Sequence, residues 1–131
     1  MKFKEFKRRL DIEEQYLKSW IYGTWSWNKN GSVDVLGHVY LQPIFKFDTL
    51  PFKFNKVTGD FNCACNGLKT LKNCPEEICK DFYCSNNLLK NLKYSPKIVN
   101  GNYNCMGNIA SFSEEDVKEI CKVNGHINTC Y

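Results

Sequence analysis

Phe61-Asn62-Cys63-Ala64-Cys65-Asn66, Phe82-Tyr83-Cys84-Ser85-Asn86-Asn87 and Tyr103-Asn104-Cys105-Met106-Gly107-Asn108 follow one another at a fixed step of 21 residues. An aromatic residue, a cysteine and an asparagine return to the same places in each copy. A unit of that length is too small to bury its own apolar side, so the copies must stack, and the step marks a short solenoid. Gly37-His38-Val39-Tyr40-Leu41 aligns 22 residues before Gly59-Asp60-Phe61-Asn62-Cys63, and Gly125-His126-Ile127-Asn128 reads as a degenerate last copy. Each unit is expected to hold one short strand, with Phe61 and Cys63 facing inward and Asp60 and Asn62 facing the opposite side. Leu68 and Leu71, then Leu89 and Leu92, continue the pattern, and Pro75 and Pro96 help turn the chain back. Asn66, Asn87 and Asn108 stand at bends just after the strands. There a buried carboxamide, donor and acceptor at once, satisfies backbone groups that have left the ladder.

Repeat stacks need atypical ends, because an exposed terminal coil offers unpaired backbone and apolar side chains. Phe3, Phe6 and Leu10 recur at helical spacing, and Asp11 with Glu14 resembles a capping box before Tyr16, Leu17, Trp20 and Ile21. Trp25-Ser26-Trp27, Asn30-Gly31 and Val33-Asp34-Val35 read as a hairpin closed by a type I′ turn, shielding the first edge. Ser113-Glu114-Glu115-Asp116 opens a final helix through Val117, Ile120 and Cys121, with acids at the positive end of its dipole. Cys130 and Tyr131 are expected to fray. The expected class is α+β, a single domain over 1–131 with an N-terminal helix and hairpin cap over 1–35, repeat coils over 36–112 and a C-terminal helical cap over 113–131.

Composition fits a compact domain: 131 residues, 43% hydrophobic and 24% charged. Met1 to Leu10 lacks the apolar run of a signal peptide and no stretch approaches a membrane span, so the chain is expected to be soluble and cytoplasmic. The net charge of +4 serves solubility and falls short of the dense cluster expected for backbone-driven nucleic-acid binding. Of eight cysteines, three occupy one repeat position, which points to packing as reduced thiols rather than pairing. A zinc or redox centre spanning Cys63 to Cys84 is the rival reading. Cys63, Cys65, Cys74 and Cys79 lie close in sequence but would have to converge from separate sides of a coil. No cofactor is expected.

Several segments together resemble the short leucine-rich-repeat-like proteins encoded by tailed bacteriophages and prophages. They are Gly31-Ser32-Val33-Asp34-Val35 with Gly37-His38-Val39-Tyr40-Leu41, Leu50-Pro51-Phe52-Lys53-Phe54, Lys56-Val57-Thr58-Gly59-Asp60, and the recurring Cys-x-x-Asn with Leu-x-x-Leu and Pro. The resemblance covers about residues 30 to 128 and implies a leucine-rich-repeat-like solenoid made in an infected bacterial cytoplasm. It carries no catalytic residues, because its motifs are structural. Cys65, standing where later copies have Asn86 and Gly107, departs from the pattern, as does the aromatic stretch before residue 30.

No nucleophile stands beside a base in the sequence, and the glycines form neither a dinucleotide nor a phosphate loop. His38 and His126 occupy equivalent positions at opposite ends of the stack, too far apart to share a site. An enzyme is therefore the least expected class. The outward strand residues form the candidate surface, with Tyr40, Asp60, Asn62, Asp81, Tyr83, Asn102 and Asn104 as partner-binding residues. This array is rich in Asn and Tyr and free of Lys and Arg, which suits a protein partner better than a phosphate backbone. Asp60 and Asp81 are expected to repel slightly across adjacent coils. Lys69, Lys72, Lys90, Lys93 and Lys97 fall on the returning segments, where a nucleic acid or nucleotide would have to bind. The first expectation is a non-enzymatic module that occupies a host bacterial protein, with no membrane partner.

Overall fold

The computed structural model describes residues 14–42 and 47–129. The amino-terminal pattern of Phe3, Phe6 and Leu10, the Asp11 to Glu14 capping box and the fraying of Cys130 and Tyr131 lie outside the described residues.

Residues 14–20 form a helix, α1, and the chain passes directly into β1 (Ile21–Trp27), so Ile21 opens a strand rather than closing a helix. Leu17 and Trp20 are fully buried. β1 pairs antiparallel with β2 (Val33–Tyr40), Ile21 opposite Val39 and Trp27 opposite Val33. The expected hairpin is present but its turn is not type I′. Asn28 N–H donates to Ser32 O at 2.8 Å and Gly31 N–H to Asn28 O at 3.0 Å, with positive φ at Gly31 and not at Asn30. These contacts define a three-residue loop ending in a left-handed glycine, the second commonest hairpin closure.

Beyond the hairpin the chain winds as a parallel-strand solenoid with two strands per coil, not the single strand expected. β2 is long enough to belong to both rows. Its end pairs with β4 (Phe61–Asn62), followed by β6 (Phe82–Tyr83), β8 (Tyr103–Asn104) and β10 (Ile127–Asn128). Its beginning pairs with β3 (Phe54–Val57), followed by β5 (Glu77–Ile78), β7 (Ile98–Val99) and β9 (Lys122–Val123). The physical cause of the second row is a second inward column. Val57, Ile78 and Val99 stand at matching register, each fully buried, and β-branched side chains suit that pleated surface.

Between the two rows the later coils bend near Gly59, Lys80 and Gly101, and the equivalent position inside β2 is Gly37. Gly37 faces Gly23 of β1 with φ of 135° and 145°, and a Cβ on Gly37 would collide with Tyr22 O. A side chain at either position would push β1 away from β2 and open the hairpin.

The aromatic column is layered. Ring centroids lie 5.0 Å apart for Phe54 and Phe61, 6.2 Å for Phe61 and Phe82, and 5.0 Å for Phe82 and Tyr103. Tyr103 stands in this buried column because its hydroxyl meets Ser95 Oγ at 2.7 Å. Cys63, Cys84 and Cys105 form the neighbouring inward column, their thiols donating to carbonyls of the next coil at 3.3, 3.5 and 3.8 Å. All seven described cysteines are free thiols.

Asn87 performs the expected service at its bend. Its Oδ1 accepts from Asn66 N and Leu68 N, both at 3.0 Å, while its Nδ2 donates to the carbonyls of Cys63, Cys84 and Ser85. Asn108 repeats the scheme, accepting from Leu89 N at 3.1 Å and donating to Cys84 O and Cys105 O. Asn66 donates to Ala64 O, and its buried Oδ1 has no hydrogen-bond partner among the described residues. The same corner requires a left-handed residue, and φ is 61° at Cys65, 54° at Asn86 and 69° at Gly107. Asn and Gly tolerate this conformation more readily than Cys, which gives the departure at Cys65 a physical meaning.

In the third coil the helix α2 (Glu114–Lys118) replaces the usual return. Ser113 caps it, accepting from Asp116 N while Asp116 Oδ2 accepts from Ser113 N, as the sequence predicts. The helix is only five residues long and is not the last element. It stretches the step from Tyr103 to its register partner Ile127 to 24 residues, and β9 and β10 follow it.

Candidate partner-binding face

Register alone assembles the seven residues of the candidate site. Tyr40 pairs with Asn62, Asn62 with Tyr83, Tyr83 with Asn104 and Asn104 with Asn128, which makes one outward column of the row. Asp60, Asp81 and Asn102, one residue before each strand, make a second column beside it, with His38 at its start and His126 at its end. All seven expected residues are half-buried rather than fully solvated.

The second column is a chain of hydrogen bonds running from coil to coil. His38 Nδ1 accepts from Asp60 N at 2.8 Å, Asp60 Oδ1 from Asp81 N at 2.8 Å, Asp81 Oδ1 from Asn102 N at 2.7 Å, and Asn102 Oδ1 from His126 N at 2.8 Å. Such amide contacts to a carboxylate are charge-assisted and stronger than neutral ones. Each carboxylate is thus held by an amide of the coil below, which answers the expected repulsion between Asp60 and Asp81. The His38 contact also fixes its tautomer, since Nδ1 accepts only when it carries no proton.

The free oxygens of the two aspartates then orient the tyrosines. Tyr83 Oη donates to Asp81 Oδ2 at 3.1 Å and Tyr40 Oη to Asp60 Oδ2 at 3.3 Å. Burial, followed by the adjacent carboxylate, pushes both phenols above their ordinary value, so they remain protonated donors. Tyr22 of β1, 60% exposed, meets Tyr40 edge-on at 5.5 Å, and His38 stacks on Tyr40 at 5.9 Å. Tyr22 is a member of the face that the sequence reading missed. Its hairpin register opposite His38 was the available signal.

In the first column, Asn62 Oδ1 and Asn104 Oδ1 accept from the amides of Ala64 and Met106 two residues on, at 3.0 and 3.1 Å. Those bonds occupy the carbonyl ends of the carboxamides. The Nδ2 ends of Asn62, Asn102 and Asn104 donate to nothing among the described residues. The face therefore offers fixed phenyl rings and amide donors, an arrangement suited to carbonyl and carboxylate groups of a partner.

The other sequence candidates are not assembled into sites. Cys63 and Cys74 are buried together, but Cys65 is exposed at its corner and Cys79 half-buried. No group of three or more His, Cys, Asp or Glu among the described residues could hold a metal ion. Burial pushes the thiols of Cys74 and Cys84 well above the ordinary range and that of Cys105 up to about 11, which suits packing groups. On the return side, Lys69 pairs with Asp48 at 3.7 Å and Lys97 with Glu76 at 3.7 Å. His38 and His126 lie at the two ends of the hydrogen-bonded column, as expected. No described helix is long and apolar enough to cross a membrane. Compared with known proteins, the chain matches no family model, no curated protein and no solved structure.

Proposed function

We propose that this protein is a non-enzymatic protein-binding module that takes its partner on the outward strand face. The observation that supports this most is the pair of bonds from Tyr83 to Asp81 and from Tyr40 to Asp60, which hold two aromatic anchors in one orientation before any partner arrives. Rings already fixed lose little entropy on binding, and aromatic anchors dominate interface energetics. With Tyr22 they form a rim from which Asn62, Asn102 and Asn104 extend free amide donors.

The partner in this proposal is a host bacterial protein, and the action is steric occlusion by a phage-encoded inhibitor in the host cytoplasm. That biological setting rests on the sequence resemblance, as does assignment of the solenoid to the leucine-rich-repeat-like type. In the same reading α1 with the hairpin caps one end of the stack, and α2 with the last coil caps the other. A nucleic-acid reading has less support, because Lys69 and Lys97 already face carboxylates.

The test is affinity capture from bacterial extract with the wild-type protein and with a Tyr83→Ala, Asp81→Asn variant, followed by mass spectrometry. Asn at 81 keeps the Oδ1 acceptor for Asn102 N, which a lysine there would lose. A protein retained by the wild type and lost from the variant at unchanged melting temperature is the expected result. Equal retention by both removes this face as the site.

A further inference from the structure

The leucine ladder of the return side stops abruptly. Leu68 and Leu89 are fully buried at one repeat position, and the next copy places Ala110 there; Leu71 and Leu92 give way likewise to Ser113. The third coil still meets the second through the Ala110 N–H to Leu89 O bond at 3.1 Å, but two leucines short it leaves a groove of about 520 Å³ beside that bond, within the range of small-molecule sites. Its floor is apolar, formed by Leu92, Phe112 and the 38% exposed Ile120.

Its two walls carry opposite charge. Lys90 and Lys93 stand on the side of the second coil, and Asp116 and Glu119 on the side of α2. Neither lysine nor Glu119 has an ion pair among the described residues, whereas Lys118 is engaged by Glu114 and Glu115. Opposed unpaired charges about an apolar floor complement a ligand with a carboxylate at one end, an ammonium at the other and a hydrocarbon body between.

We infer that this groove binds a short apolar peptide with free termini, its carboxylate toward Lys90 and Lys93, its ammonium toward Glu119 and its side chains on Phe112 and Ile120. The site is separate from the strand face and does not rest on the function proposed for that face.

The experiment is a titration of the whole protein with the tripeptide Ala-Leu-Ala, followed by nuclear magnetic resonance of the Ala110, Phe112 and Ile120 amides. Parallel titrations use the same peptide acetylated at its amino end, amidated at its carboxyl end, or both. Saturable shifts at those amides are expected, with affinity at least 10-fold weaker for each singly blocked peptide, as loss of one charged contact of about 1.4 kcal/mol requires. Ala110→Leu, which refills the ladder position, is expected to abolish the shifts without lowering the melting temperature. Lys90→Met with Lys93→Met removes the proposed carboxylate contacts and is expected to weaken the free peptide to the level of the amidated one. No saturable shift at millimolar peptide, or equal affinity for the doubly blocked peptide, overturns the inference.

Discussion

Two columns of side chains do the same job on opposite sides of the sheet. On the inside, Asn87 Oδ1 takes amides of the coil before it, from Asn66 and Leu68. On the outside, Asp81 Oδ1 takes the amide of the coil after it, from Asn102. The inner group is 4% exposed and has every polar atom engaged by protein. The outer group is half-buried, and its second oxygen is spent on a tyrosine. Burial separates their roles: a lost bond inside leaves amides that water cannot reach, whereas a lost bond outside is largely replaced by solvent. The inner column therefore belongs to the fold, and the outer column can be altered for recognition.

The sharpest way to break that comparison is Asn87→Ala. It removes two acceptor contacts and three donor contacts in a dry corner, and a loss of about 3 to 5 kcal/mol is expected, read as a large fall in denaturation midpoint. A midpoint shift no greater than that of an exposed substitution would show the inner column to be dispensable.

Alkaline pH attacks the same inner side. The folded protein holds the Cys105 and Cys121 thiols up to about 11 and about 12, against an ordinary value of 9.0. Raised thiols stabilise fully below pH 9.0, and that stability drains away as pH climbs toward those folded values, because the unfolded chain ionises first. Urea midpoints should be level from pH 7 to 8.5 with respect to these groups and decline above about 9. Serine at both positions is expected to make the alkaline limb shallower, leaving the part due to the raised thiols of Cys74 and Cys84.

On the outer column the expected effects are smaller. Asp81→Ala should cost about 1 to 2 kcal/mol, by removing one charge-assisted rung and one phenol contact. Asp81→Asn, which keeps an acceptor for Asn102 N, should fall within about 0.5 kcal/mol of wild type. Equal losses for the two would show that the charge matters there, and not the rung. Smaller again is Cys65→Gly at the left-handed corner. It should stabilise by up to about 1 kcal/mol, since Gly107 already occupies the equivalent site without strain.

Much of this was legible in residues 61 to 108. The recurring Phe61, Phe82 and Tyr103 predict a layered aromatic column, and the recurring asparagines predict side chains that serve the backbone; both are present. So are the hairpin and the helix opening at Ser113, because each is specified by neighbours in sequence. The second strand of each coil was not read, although Val57, Ile78 and Val99 repeat at the same step. Two-residue strands such as Glu77–Ile78 are too short for alternation to register, and their stability comes from the coils above and below. The turn at Gly31 was misread because Asn-Gly also fits a three-residue loop. Least visible was the outer column itself. Asp60 and Asp81 look like free surface acids in sequence, and only stacking shows that each is aimed at an amide 21 residues away.

The central question is whether an outward row fixed by its own hydrogen bonds is where a partner binds. The direct measurement is the affinity of the captured protein for wild type and for the Tyr83→Ala, Asp81→Asn variant, by calorimetry, at temperatures where both are folded. A weakening of at least about 30-fold is expected, the effect of losing an aromatic anchor worth about 2 kcal/mol. Affinities equal within error for two folded proteins would contradict it.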